Sequence, residues 1–323
     1  MSLNLAYILR ESTKADPAKP ALLFDGGRIS YGELDALSDQ FARGLRQAGF
    51  APGDRIGLQL PNLPQFVISY FGILKAGCVV VPMNVLLKAP ETAYQLGNSH
   101  ASALITWSGT AAEAAKAVDA AGVANLFVVN TPGIPEATVG TPFEALMTAD
   151  PSAPAPLESR DPGETAVIIY TSGTTGTPKG AELTHFQLYM NSDTPGRVFG
   201  IRSDDVTLVV LPLFHVFGMS SLLNVGVRFG ATLSLVTRFE ATKVLEVVKR
   251  DGATIFAGVP TMFLALLDQD VDPADVASLR VLCRSCGSSA RVAAFKGLIP
   301  SGPRRNLATG EVPYLPNTAR RIR

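Results

Sequence analysis

The chain has 323 residues, 47% of them hydrophobic and 17% charged, with a formal net charge of zero at pH 7. That length leaves room for more than one layered core, and the balance excludes a disordered chain and a general pull toward nucleic acid or an anionic membrane. Three cysteines are too few for a disulfide framework. With no basic-then-apolar leader and no apolar run approaching the roughly 18 residues of a membrane span, the expected location is the cytoplasm.

The first clear element is a helix over 31–48. Leu34, Leu37, Phe41 and Leu45 share one face, and Ser30 with Glu33 forms a capping box. A strand over 55–60 follows, then an apolar helix from about 64 to 75 and a second strand over 78–81, where Cys78 reads as a free buried thiol. Pro90 is placed to open another helix, followed by a strand over 101–106, a helix over 111–121 and a strand over 125–130. Strands alternating with helices predict a layered, largely parallel α/β architecture. Prolines crowd residues 149–163 and mark a surface connector.

Residues 170–180 read Tyr-Thr-Ser-Gly-Thr-Thr-Gly-Thr-Pro-Lys-Gly. They follow a buried strand over 165–170, and Thr184 can cap a helix beyond them. Such a loop suits a polyphosphate: glycines let the backbone approach, N–H groups and hydroxyls donate to phosphate oxygens, and Lys179 brings charge. The spacing excludes a Walker A loop, which needs Gly-Lys-Ser/Thr, and no Gly-x-Gly-x-x-Gly fingerprint supports a dinucleotide enzyme. A plain flexible linker has no need of Pro-Lys-Gly after a buried strand.

A second α/β run follows, with strands near 206–211, 231–236, 253–258 and 279–283 and helices at 184–193, 217–228, 240–250 and 260–268. Beyond 283 the pattern breaks off. Arg284, Arg291, Lys296, Arg304, Arg305, Arg320, Arg321 and Arg323 face one acid, Glu311, and no period of 3.6 or 2 is sustained. Cys283 and Cys286 have the spacing of a zinc or redox pair but lack a second pair.

The loop resembles the phosphate-loop signature of the adenylate-forming superfamily, which includes acyl-CoA synthetases, aryl-CoA ligases and luciferases. Further segments are similar to that family: Ser30-Tyr31-Gly32-Glu33-Leu34, Pro52-Gly53-Asp54-Arg55-Ile56, Leu60-Pro61-Asn62, Gly72 through Gly77, Val81-Pro82-Met83-Asn84, Leu211-Pro212-Leu213-Phe214-His215 and Gly258-Val259-Pro260-Thr261. The resemblance implies an α/β fold of layered, mostly parallel sheets, that of the family's N-terminal domain. A first subdomain is expected over 1–163, a second carrying the phosphate loop over 164–283, and an irregular basic tail over 284–323.

The activity implied is that of an acid–thiol ligase of the fatty acyl-CoA synthetase kind. ATP with Mg2+ activates a carboxylic acid as an acyl-adenylate, and coenzyme A takes the acyl group. An aryl acid is the alternative substrate, and a silent fragment that at most binds ATP or acid is the alternative class. By resemblance, Thr171, Ser172, Gly173, Thr174, Thr175, Gly176 and Lys179 hold the phosphates, and Thr171 also serves magnesium. His215 and Phe217 lie by the acid, and Gly258, Val259, Pro260 and Thr261 line its tunnel. On the residues alone, His215 is as well read as a structural loop residue and 258–261 as a strand-to-helix turn. The small residues Gly218, Ser220 and Ser221 are expected to leave room for a long tunnel, and His185 to support its helix.

The family's Tyr-Gly-x-Thr-Glu motif, with its magnesium-binding glutamate, and its lysine-bearing C-terminal domain have no counterpart in these residues. On that basis the chain is expected to be a truncated portion, inactive alone. The tail is expected to be text from another reading frame; a basic arm for an acidic partner is the competing idea.

Overall fold

A computed structural model describes residues 2–147, 150, 157–171, 177–284, 294, 295, 297, 308–311 and 320–321. In chain order its first elements are α1 (Tyr7–Ala15), β1 (Pro20–Phe24), β2 (Gly27–Ser30), α2 (Tyr31–Gln47), β3 (Arg55–Leu58), α3 (Pro64–Lys75) and β4 (Val79–Pro82). Next come α4 (Ala89–Ser99), β5 (Ala101–Trp107), α5 (Ala111–Ala121), β6 (Asn125–Val129), β7 (Thr141–Pro142), β8 (Thr165–Thr171), β9 (Lys179–Thr184) and α6 (His185–Val198). The rest are β10 (Val206–Val209), a π-helical stretch (Phe217–Asn224) running into α7 (Val225–Arg228), β11 (Thr232–Leu235), α8 (Ala241–Asp251), β12 (Ile255–Gly258), α9 (Pro260–Leu267), β13 (Val281–Arg284), β14 (Ala308–Glu311) and β15 (Arg320–Arg321).

The strands form two sheets. One has seven strands in the order β14-β13-β12-β10-β11-β1-β2, the other eight in the order β15-β9-β8-β4-β3-β5-β6-β7. Neighbours are parallel except at β1/β2, β8/β9 and β9/β15. Side chains alternate between faces. Ile56 and Leu58, Ala103 and Ile105, Leu233 and Leu235 join one central core shared by both sheets. Leu104, Leu126 and Val128 turn outward under α4 and α5, while Leu208, Val210 and Phe256 turn outward under α8 and α9.

Between the sheets lie α1, α2, α3 and α6. Helix α2 begins with the expected box: the Glu33 N–H donates to Ser30 Oγ (3.2 Å) and the Ser30 N–H to the Glu33 carboxylate (2.7 Å). Helix α3 is apolar nearly all round and buried from Phe66 to Lys75, as a helix covered on every side must be. Gly72 lets α2 and α3 touch, since a β-carbon there would lie 2.5 Å from Phe41 Cδ1.

The sheets do not follow the expected division at residue 163. β1 and β2 pair into the sheet of β10–β13, with Leu22 opposite Leu233, whereas β8 and β9 extend the sheet of β3–β6. The basic tail, expected to lack regular elements, contributes β14 parallel to β13 and β15 antiparallel to β9. Phe295 packs among Phe256 and Phe263 in the outer core. Among the described residues no helix is long and apolar enough to cross a membrane.

Candidate active site

In both sheets the chain reverses direction of growth. From β3 it passes to β4 on one side and then to β5 on the other; β11 and β12 likewise flank β10. Loops leaving the carboxyl ends of strands on either side of such a point diverge and leave a crevice. A cavity of about 140 Å³ opens at the carboxyl ends of β4 and β8, lined by Pro82 of β4 and Asn84 just after it, Gln95 of α4, Ile169, Tyr170 and Thr171 of β8, and Phe214, His215 and Val216 after β10. Thr171 and His215, 44 positions apart in sequence, thus face one space.

β8 and β9 form a hairpin whose last register pair is Thr171 opposite Lys179. The expected helix does not follow the loop directly. Lys179 opens a six-residue strand, and α6 begins only after Thr184. Thr184 does cap it: its hydroxyl accepts from the Gln187 N–H at 3.1 Å, and Gln187 Oε1 accepts from the Thr184 N–H at 2.9 Å. At about 3.4 Å per strand residue, that helix terminus stands too far from the loop for its dipole to act on a phosphate held there. Within the β8–β9 hairpin, the half-buried Lys179 brings positive charge to the loop. Ser172, Gly173, Thr174, Thr175 and Gly176 lie outside the described residues.

His215 is exposed at the cavity wall, and the desolvation it does undergo there holds its pKa below the ordinary value. Its Nδ1 accepts from the Phe217 N–H at 3.3 Å, which assigns the neutral ring's proton to Nε2. A neutral imidazole with a free Nε2–H can donate to a carboxylate or carbonyl oxygen and polarise it, without giving it a full proton.

The other expected pocket residues sit apart from this cavity. The Phe217 ring packs on the central core, and Phe214 and Val216 line the cavity in its place. Gly258 ends β12, Val259 packs on the central core, Pro260 opens α9 and Thr261 is exposed; none is in the cavity wall. The expectation that Gly218 leaves room for a tunnel fails: a β-carbon there would fall 2.2 Å from the Pro212 carbonyl oxygen, so backbone already fills the space. Met219 and Ser220 are buried as well.

His185 behaves as expected of a supporting residue. It is 1% exposed, its Nδ1 accepts from the Leu5 N–H at 3.0 Å, and burial, helped by Arg160, lowers its pKa to about 4. In the unfolded chain the imidazole titrates near 6.5. Below that pH the unfolded state takes the proton first, so stability is expected to fall from pH 6.5 down to about 4, by about 3 kcal/mol in all. Urea midpoints across that window measure it. His185→Gln, which keeps an acceptor for Leu5, should flatten that part of the curve, and an unchanged slope in the variant would remove His185 as its source.

Burial raises the Cys78 and Cys283 thiols to about 12, so both are protonated at neutral pH. That disfavours a thiolate metal ligand at Cys283; Cys286 lies outside the described residues.

One residue near the site carries more than its sequence announces. Asn62, 2% exposed, lies just after β3. Its Nδ2 donates to the carbonyls of Val209, Leu211 and Val236, each at 3.1 Å, and its Oδ1 accepts from the Leu213 N–H at 2.9 Å. Asn62 thereby ties one sheet to the other at the root of the loop that carries His215. Asn84 and Gln95 of the cavity wall were equally unforeseen. The position of Asn84 beyond a carboxyl strand end is the signal that could have found it; Gln95 offers none.

Comparison with known proteins agrees with this architecture. A family model described as AMP-binding enzyme matches residues 9–304, running past residue 283, where the resemblance was expected to stop. The chain is 35% identical over 279 residues to 4-coumarate–CoA ligase 5 of Oryza sativa subsp. japonica, covering 83% of this chain and 50% of that one. It is 28% identical over 289 residues to the long-chain-fatty-acid–CoA ligase of Bacillus subtilis (strain 168), covering 82% and 51%. Among solved structures, the anthranilate CoA ligase AuaEII in complex with anthranoyl-AMP superposes with a TM-score of 0.85 at 25% identity, covering 96% of this chain and 60% of that one. The chain spans about half the length of the curated relatives it matches.

Proposed function

Because the chain belongs to the AMP-binding enzyme family, we propose that it carries the nucleotide- and acid-binding part of an acid–CoA ligase, which joins a carboxylic acid to coenzyme A through an acyl-adenylate made from ATP. The observation that carries this reading is the shared cavity of Thr171 and His215 at the carboxyl ends of the two sheets. Lys179 and the loop 171–176 bind the β- and γ-phosphates, and the Nε2–H of His215 orients the acid carboxylate. Little covalent work falls to these side chains; they position the reactants and neutralise the charge leaving with pyrophosphate.

Among the described residues no group of three or more His, Cys, Asp or Glu could hold a metal. The exposed Thr171 hydroxyl is one neutral oxygen at the cavity. It fits a magnesium ion that is held mainly by phosphate oxygens and water, as Mg2+ bound with a nucleotide usually is.

The long-chain fatty acid expected from Gly218 loses that support. We carry the aryl acid and the fatty acid as paired candidates, since relatives are named for coumarate and anthranilate and for long-chain fatty acids alike.

Thermal-shift titration tests the nucleotide half. MgATP should stabilise the parent chain, and Lys179→Ala should weaken its apparent affinity about ten- to a hundredfold by removing a charge-assisted contact. Equal stabilisation of parent and variant would take the loop out of its role. Repeating the titration with a hydroxycinnamic, a benzoic and a long-chain fatty acid ranks the acids. ATP–pyrophosphate exchange with the same panel separates a working ligase from a chain that binds without turnover.

A further inference from the structure

Helix α4 braces both ends of the phosphate-loop hairpin. On the β8 side, the Tyr170 hydroxyl donates to Asn98 Oδ1 at 2.7 Å and reaches the Gln95 carbonyl at 3.3 Å. On the β9 side, the Tyr94 hydroxyl donates to the Pro178 carbonyl at 3.0 Å. The two rings meet edge to face, with centroids 6.4 Å apart. Tyr170, paired with Gly180, lies one step inside the last register pair, and Pro178 lies one residue beyond it on the loop side, so the brace grips the hairpin on both sides of that pair.

Nothing in the folding of α4 requires this. Tyr94 is 38% exposed on a helix whose packing rests on Thr92, Gln95, Leu96 and Ser99. Pro178 has no N–H with which to join the ladder, so its carbonyl is the one main-chain hydrogen-bonding group it offers at the point where the chain leaves the loop.

We propose that Tyr94 is a positioning residue for the phosphate loop: by holding the Pro178 carbonyl it fixes where Lys179 enters β9, and so where its ammonium stands against the β- and γ-phosphates of a nucleoside triphosphate. This rests on the reading of the loop given above. The bond pre-sets one end of the loop before ligand arrives, which lowers the ordering cost of binding. It acts on phosphates that AMP lacks, so its effect discriminates between ATP and AMP.

The test is a binding measurement by calorimetry on the full chain, with MgATP and AMP as ligands, for the parent and Tyr94→Phe. Phenylalanine keeps the ring against Tyr170 and removes only the hydroxyl. The expected result is a two- to fivefold weaker MgATP affinity, the effect of one partly exposed hydrogen bond, with AMP affinity and the ligand-free melting temperature unchanged. Equal weakening of both nucleotides would show a general structural role and overturn the proposal, as would no change in either. If the parent binds AMP but gains nothing from the two further phosphates, the loop reading falls and this inference with it. If the parent binds neither nucleotide, it is the nucleotide site itself that fails.

Discussion

Replacing Lys75 by methionine is expected to destabilise the fold by about 3–5 kcal/mol, the usual cost of removing one partner from a buried ion cluster. Lys75 ends α3 and is entirely buried. Its ammonium donates to the Asp35 carboxylate at 2.6 Å, to Asp39 and Ser38 Oγ at 2.8 Å each, and to the Asp35 carbonyl at 2.8 Å. Arg10 of α1 closes the cluster from the other side, meeting Asp35 at 2.5 Å and both Asp39 oxygens at 2.8 Å. Burial pulls the Lys75 pKa down, and the two aspartates oppose that pull. With two cations against two carboxylates the cluster is balanced; without Lys75 one carboxylate is left in excess between three helices. Adding Asp35→Asn to Lys75→Met removes that surplus charge and should recover part of the loss. Urea denaturation of the three proteins measures both effects. A loss below 1 kcal/mol for Lys75→Met would mean that the cluster is wetter, and its charges less dependent on one another, than the packing indicates.

The same cluster shows what the sequence could and could not reveal. The apolar run from Pro64 to Lys75 reads at once as a buried helix, and its lysine reads as the polar end of it. Nothing local shows that the partners come from α1 and α2. The alternating strands were legible because each carries its own two-residue period. The hairpin of β1 and β2 was missed, although Asp25 and Gly26 at its turn both adopt positive φ (46° and 80°), a conformation for which Asp-Gly between apolar residues is a strong signal. β9 was missed for a better reason: Lys-Gly-Ala-Glu-Leu-Thr has little strand propensity, and only its pairing with β8 makes it a strand. The division of the chain failed because pairing across about two hundred residues, as of β1 with β11, leaves no trace in a local pattern. Gly218 misled because a glycine marks either open space or a backbone pressed close, and only the neighbour decides which. Of the two expected residues that the cavity brings together, Thr171 was marked by the composition of its loop and His215 through resemblance alone.

Asn62→Ala is expected to cost about 2–4 kcal/mol, and to loosen the site more than the fold. Asparagine is the side chain that can do what position 62 demands, offering two N–H donors to three carbonyls and one oxygen to an N–H. Alanine leaves the Leu213 N–H and the Leu211 carbonyl buried next to an apolar methyl. The Val209 carbonyl suffers least, since it also accepts from the Val236 N–H at 3.0 Å. Each buried group left unpaired costs about 1–3 kcal/mol, and a water entering the small void can recover some of it. The consequence for function follows from where the bonds lie. Val209 ends β10, and Leu211 and Leu213 begin the loop to His215, so with the tie cut that loop keeps its core packing and its bond to the π-helical stretch but loses its side-chain anchor to the other sheet. Amide hydrogen exchange at Leu213 to His215 should accelerate well beyond the global loss of stability, while exchange in α4 and α5, on the far face of the other sheet, should follow that loss alone. If exchange rises uniformly across the chain, Asn62 is one more core contact and the loop owes its position to something else. If it rises locally, the placement of the one imidazole in the cavity depends on an amide from the opposite sheet, and the Leu-Pro-Asn segment has its physical reason.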